Sequence, residues 1–236
     1  MGIGDFFNLV LYQPLFNILI LLYTYLPGHD FGVAVIVLTL IIKLILLPTS
    51  LKAVRSQRIM ADLQPKLKEI QEKYKDNKEK QSQEIFKLYQ KTKTNPFSGC
   101  LPLLLQLPVL IALYQVFLKG FKNEILESTL YSFVPYSKSI SLMFLGIIDL
   151  SQPNFFLALI AGILQFIQSK ISMPKKTSEK KDASQMIQTQ MIYFFPLLTV
   201  FIVWKFGSII GLYWITSTLF SIGEYYLITK KMKTNA

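Results

Sequence analysis

The sequence is short of the residues on which most site chemistry depends. It has one cysteine, Cys100, and one histidine, His29, in 236 residues. A single cysteine excludes an internal disulfide and leaves the redox compartment open. His29 sits in the turn Pro27-Gly28-His29-Asp30 with no second histidine or carboxylate cluster near it in sequence, so it reads as a surface residue rather than a metal ligand. There is no glycine-rich phosphate loop, no metal-ligand spacing and no serine, histidine and carboxylate set, so neither an enzyme nor a bound cofactor is expected. Charge is also scarce, at 17% of residues, and acids are the rarer sign, with 14 Asp and Glu against 25 Lys and Arg.

What is abundant is apolar. Hydrophobic residues make up 52% of the chain and the mean hydropathy is +0.40, too apolar for an ordinary soluble domain. The apolar residues gather in runs near Val33 to Leu47, Leu101 to Leu118, Phe155 to Ile171, Met191 to Phe206 and Ile209 to Ile228. Each approaches the roughly 20 residues that cross a hydrocarbon core of about 30 Å. The formal charge of +11 could suggest nucleic acid, but the basic residues lie between these runs and not along one soluble face. Lys and Arg number twelve in 51–95, five in 170–187 and three in 230–236, against three in 119–152 and none in 1–32. The positive-inside rule reads this as an N-terminus outside and a cytoplasmic C-terminus, with an odd number of spans.

The expected architecture is an all-α integral membrane protein with five transmembrane helices, at 31–55, 97–118, 153–173, 187–206 and 208–229. Residues 1–30 are read as an external interfacial amphipathic helix, because Gln13-Pro14 and Asn17 break the apolar stretch and leave too little to cross. Pro48 should break or kink the first span. From 56 to 94 the chain turns highly charged while keeping Met60, Leu63, Leu67, Ile70 and Tyr74 in a heptad seam. The polar turn Lys75-Asp76-Asn77-Lys78 follows, then a second apolar face of Ile85, Phe86, Leu88 and Tyr89, which together predict a cytoplasmic helical hairpin. An external connection at 119–152, a cytoplasmic loop at 174–186, a tight turn near Lys205 to Ser208 and a cytoplasmic tail at 230–236 complete the plan. No internal repeat is visible, so the inverted-repeat signature of many transporters is missing.

Lys43 is the most informative residue, because it lies in an otherwise apolar stretch, Leu38 to Leu47. An intramembrane charge costs about 2.5 to 3.5 kcal/mol on insertion scales. At about 1.5 Å per residue it lies roughly 18 Å from Phe31, towards the inner leaflet. It could face a hydrated cavity, with Thr39 on the same face at i,i+4, or it could snorkel to the inner headgroups. Gln106 and Gln115, Gln165 and Gln168, and Thr216, Ser217 and Thr218 are uncharged polar groups in the other spans. Each alone reads as an interhelical hydrogen-bond partner, and together they suggest a polar cavity. Tyr213 and Trp214 read by default as interfacial belt residues, and Glu224 as an interfacial or packing residue.

Several motifs then occur in one order: Thr39-Leu40-Ile41-Ile42-Lys43 with Leu47-Pro48, Leu63-Gln64-Pro65-Lys66, and Asn95-Pro96-Phe97-Ser98-Gly99-Cys100-Leu101-Pro102. Gln106-Leu107-Pro108 with Ala112-Leu113-Tyr114, Asp149-Leu150-Ser151 and Gly211-Leu212-Tyr213-Trp214 follow. Over nearly its whole length the chain thus resembles the YidC/Oxa/Alb family of membrane protein insertases. The resemblance implies a five-span core around a hydrophilic groove, open to cytoplasm and lipid and closed outside, with one basic residue in the first span. By motif position that residue is Lys43, where the family usually has arginine. Lysine keeps the charge but loses the planar fork. The resemblance also places Thr39, Gln168 and Trp214 in or beside the groove, to which the polar spans add Gln106, Gln165 and Tyr213. It assigns the hairpin, with Arg55, Arg58, Lys66, Lys68 and Lys73, to substrate or ribosome contact.

The function implied is insertion and folding of nascent membrane proteins in a bacterial inner membrane. The expected partners are those substrates and the lipid bilayer, with the ribosome and the Sec translocon as further candidates, no sequence-specific nucleic acid, and a monomer as the working unit. Two other classes stay open on the residues alone. One is a small channel or transporter using Lys43 as an anion site, and the other is an assembly factor that inserts nothing by itself.

Overall fold

The N-terminal run forms one helical rod despite its polar interruptions. In the computed structural model, which describes residues 2–92, 101–119, 129–135, 140–172 and 183–234, α1 (Ile3–Phe7) passes through a π-helical turn at Asn8–Tyr12 into α2 (Gln13–Tyr25). Pro14 lacks an N–H and would set its ring against the carbonyl four residues back. The wider π turn just before it relieves both problems. From Gly4 to Tyr25 the helix is 22 residues, long and apolar enough to cross a membrane by length and composition, so Gln13-Pro14 and Asn17 do not interrupt it as a helix.

Those polar residues point inward. Asn17, 1% exposed, donates to the carbonyls of Gln13 (2.8 Å) and Thr129 (3.1 Å) and accepts from the Tyr131 N–H (2.8 Å). Gln13 also donates to the Thr129 carbonyl, and the Tyr23 hydroxyl accepts from the Ser141 N–H. The amide that looks like a flaw in the sequence is a clasp between α2 and the 129–131 segment.

Asp30 starts α3 (Phe31–Lys73) by accepting from the Val33 N–H at 2.9 Å, an N-cap that satisfies one free helix donor. At 43 residues, α3 runs unbroken through Pro48 and Pro65. The helix is therefore not broken at Pro48, and it is continuous where the expected first span and the first arm of the hairpin meet. One helix of about 64 Å carries both parts. Asn77 caps α4 (Lys78–Lys91) through the Lys80 N–H at 3.0 Å, closing the hairpin where the polar turn predicts it. Along its seam Leu63 and Leu67 are buried and Met60, Ile70 and Tyr74 half-buried. On α4 Ile85, Leu88 and Tyr89 are half-buried, whereas Phe86 is 62% exposed and drops out of the apolar face.

Beyond the described residues of the hairpin, α5 (Leu101–Lys119) runs through Pro108. The motif Asn95 to Cys100 and the lysine-rich loop after Met173 lie outside the described residues. A two-stranded antiparallel hairpin, β1 (Met143–Phe144) and β2 (Ile148–Asp149), interrupts the helical pattern. Three helices follow: α6 (Phe155–Ser172), α7 (Ala183–Phe206) and α8 (Ser208–Thr234). Gly207, at φ +106°, is the only residue between α7 and α8, as the turn near Lys205 predicts.

The hairpin is stapled to the helix starts. Asp30 also accepts from the Leu145 N–H, and Ser208 donates its N–H and its hydroxyl to the Gln152 carbonyl. Asp149, exposed, accepts from the Ser151 hydroxyl (2.6 Å) and then the Ser151 N–H (2.9 Å), which together hold its carboxyl below the ordinary value. A depressed carboxyl contributes order above its unfolded value and loses it as pH falls through the folded one. We expect amide exchange at 144–151, corrected for intrinsic rate, to quicken below about pH 4 in wild type. Asp149→Asn should remove that acid-dependent step.

Among the described residues, two clusters form the interior. Phe16, Leu19 and Ile20 of α2 pack with Phe31, Val35 and Leu38 of α3, Ala112, Leu113 and Val116 of α5, and Leu212 and Tyr213 of α8. Ala158 and Ala161 of α6 meet Val203 of α7 and Ile210 of α8 in the second. Outward, large apolar side chains are left bare: Ile45 on α3 is 70% exposed, Phe156 on α6 75% and Leu197 on α7 70%. Apolar surface of this extent calls for hydrocarbon as its solvent.

Candidate functional site

Helical spacing lays a polar stripe on α3 and a matching one on α8. At 3.6 residues per turn, Thr39, Lys43 and Ser50 fall within about 40° of one another. Tyr213, Trp214, Ser217, Thr218, Ser221 and Glu224 fall within about 140° on α8 by the same spacing. The two stripes meet. Lys43 Nζ donates to Ser221 Oγ at 3.1 Å, and Ser50 Oγ donates to Glu224 Oε1. Both rungs advance towards the C-terminal ends, so α3 and α8 run parallel. Glu224 is only 5% exposed.

A third polar contact lies about 10 Å further up α8, where Trp214 Nε1 donates to Gln165 Oε1 at 2.9 Å and ties α8 to α6. Gln168 is half-buried on α6 one turn beyond Gln165, and Gln106 is half-buried on α5. Thr39 is 1% exposed and its hydroxyl donates a hydrogen bond to the Val35 carbonyl of its own helix at 2.7 Å. Tyr213 is 3% exposed within the main cluster, so its default reading as an interfacial belt residue is corrected by that burial. Lys43 itself is half-buried, while its neighbours Leu44 and Ile45 are exposed on the apolar outside. The amine therefore lies at the border between the polar seam and the apolar surface.

On the long extension of α3, Arg55, Lys66 and Lys73 are exposed, Arg58 stands 3.7 Å from Asp62, and Lys68 is buried. Ser50, Ser221 and Glu224 escape the sequence reading as site residues. Their spacing on each helix is visible in the chain, but nothing in either periodicity says that these two faces meet.

Helices that turn large apolar residues outward and gather amine, carboxylate, hydroxyl and amide groups along an inner seam define an α-helical membrane protein. Residues 21–235 match the family described as 60Kd inner membrane protein, and the chain belongs to that family. It is 38% identical over 209 residues to the membrane protein insertase YidC of Clostridium tetani, covering 88% of this chain and 84% of that protein. Its identity to the membrane protein insertase YidC of Oceanobacillus iheyensis is 32% over 210 residues, covering 87% and 77%. The insertase of the same name from Nitratidesulfovibrio vulgaris is longer. There the identity is 32% over 219 residues, covering 93% of this chain and 38% of that protein.

Proposed function

We propose that this chain is a membrane protein insertase, without enzymatic chemistry, whose working surface is the seam between α3 and α8. Its named relatives are insertases, and the observation that carries the site is Lys43, an amine held on Ser221 beside the lipid-facing Leu44 and Ile45. In this reading the first part of α3, with α5, α6, α7 and α8, makes five spans around a groove. The N-terminal helix, clasped by Asn17 and Gln13 to the 129–131 segment, belongs with the outer face. The charge count puts the far end of α3 and all of α4 in the cytoplasm, where Arg55, Lys66 and Lys73 meet the substrate or the ribosome.

The mechanism follows from solvation. The hydrophilic outer tail of a single-span substrate enters the groove from the cytoplasm, where Lys43, Ser221, Gln165 and Trp214 replace part of its hydration. The ties of Asp30 and Ser208 to the 143–152 segment support a seam closed at the opposite end. Meanwhile the apolar span of the substrate slides into lipid past Leu44 and Ile45. Its burial, at about 25 cal/mol per Å², drives the process without a nucleotide.

The test is insertion of a short single-span substrate with an acidic outer tail into liposomes holding this protein alone, read by protease protection. Protection that depends on the protein supports the reading. Its absence with folded protein overturns it, and saturable flux of small anions would then point to a transporter.

A further inference from the structure

Glu224 has no part in the mechanism above, yet it is the one buried acid among the described residues. It sits on the same side of α8 as Ser221, one turn further on, and its carboxylate accepts a hydrogen bond from the Ser50 hydroxyl across the interface. Lys43 is held by Ser221 in the same way. The two charges are thus each seated on a serine of the opposite helix, near enough to interact and not locked to each other. A carboxylate placed purely to pack two helices would be an expensive choice where glutamine makes the same hydrogen bond. An opposite charge near a groove amine has a consequence glutamine lacks, since it lowers the field that an entering tail experiences.

We infer that Glu224 is a built-in counter-ion of Lys43 that sets which tail charges the groove admits, a specificity role that rests on the insertase reading above. With Glu224 in place the seam carries a cation and an anion on neighbouring rungs. An acidic tail gains from Lys43 but is opposed by Glu224, so serine-rich tails pass nearly as well as aspartate-rich ones. The seated arrangement keeps Lys43 available, because no close ion pair must be opened before a substrate carboxylate approaches. The same carboxylate keeps the amine from holding an acidic tail or a lipid phosphate so firmly that release becomes slow.

The experiment is liposome insertion of one single-span substrate bearing an aspartate-rich, a serine-rich or a lysine-rich outer tail, by wild type, Glu224→Gln, Lys43→Gln and the double variant. Glutamine keeps the size and the acceptor for Ser50, so a packing role survives the change. Glu224→Gln should raise the ratio of aspartate-tail to serine-tail insertion about three- to tenfold, the scale of one partly screened charge. Lys43→Gln, with Glu224 as sole charge, should turn the preference towards the lysine tail, and the double variant should flatten it. If Glu224→Gln shifts all three tails together, or none, the counter-ion role is overturned. Should that variant fail to accumulate, Lys43→Gln decides, because a preference that does not turn towards lysine is equally fatal. Failure of wild type to insert any tail overturns the insertase reading itself, whereas wild-type insertion with unmoved ratios removes only Glu224's role.

Discussion

Lys43→Ala is expected to cut insertion of an aspartate-tailed substrate about tenfold, the factor that 1.4 kcal/mol represents, and to leave a serine-tailed one within about threefold of wild type. Two unit charges 5 Å apart interact by about 3 kcal/mol at an effective dielectric of 20, and dehydration of both groups offsets part of that. Removing the amine also leaves Glu224 as an unbalanced anion on α8, which adds to the loss for an acidic tail. Lys43→Arg should insert the acidic tail at least as well as wild type, because the guanidinium keeps its charge and offers a fork of donors to a carboxylate. Raising ionic strength should narrow the gap between alanine and wild type only modestly, since screening acts weakly in a half-buried seam. Equal insertion of the acidic tail by all three proteins would show that charge at position 43 does not matter.

How far the sequence discloses this arrangement depends on which physical signal each part leaves in one dimension. Apolar runs, the heptad seam on the α3 extension and the short turn at Gly207 are local patterns, and the helices they predict are present. Pro48 misleads because a proline's local cost is about 3 kcal/mol, which contacts along α8 can offset. Asn17 and Gln13 mislead for a related reason. A polar group inside an apolar run looks like an interruption until its partner is known, and the partners, Thr129 and Tyr131, lie more than 110 residues away. Strands of two residues carry too little alternation to register, so β1 and β2 leave no trace. Lys43 is legible because a charge in hydrocarbon needs a reason. Glu224 is not, because near the expected membrane end of a span a carboxylate has a bland explanation that only the bond from Ser50 displaces.

Gly162→Leu is expected to prevent the protein from accumulating in the membrane, and the reason lies in how α6, α7 and α8 are brought together. A Cβ on Gly162 would stand 2.3 Å from Val200 Cγ2 and 3.3 Å from the Pro196 carbonyl. Valine is stiff at χ1, so its methyl group cannot swing clear, and the carbonyl belongs to the backbone. With no hydrophobic drive between helices in lipid, close approach at small residues supplies much of the packing energy, and Ala158 and Ala161 line the same contact. Even Gly162→Ala should cost about 1 to 3 kcal/mol by overpacking, seen as a lower unfolding temperature in detergent. Val200→Ala removes the clashing methyl and should restore most of the loss in the double variant, whereas Val200→Ala alone should be mildly destabilising. Such a coupling marks direct contact between the two positions. The effect should also reach the groove. Gln165 follows Gly162 by three residues on α6, so a helix pushed off α7 carries its amide away from the Trp214 indole. In the accumulated Gly162→Ala protein, Trp214 fluorescence should shift as that hydrogen bond is lost, and Val200→Ala should return it. Full stability and an unchanged spectrum in Gly162→Ala would mean that α6 and α7 do not approach as closely as the structure shows.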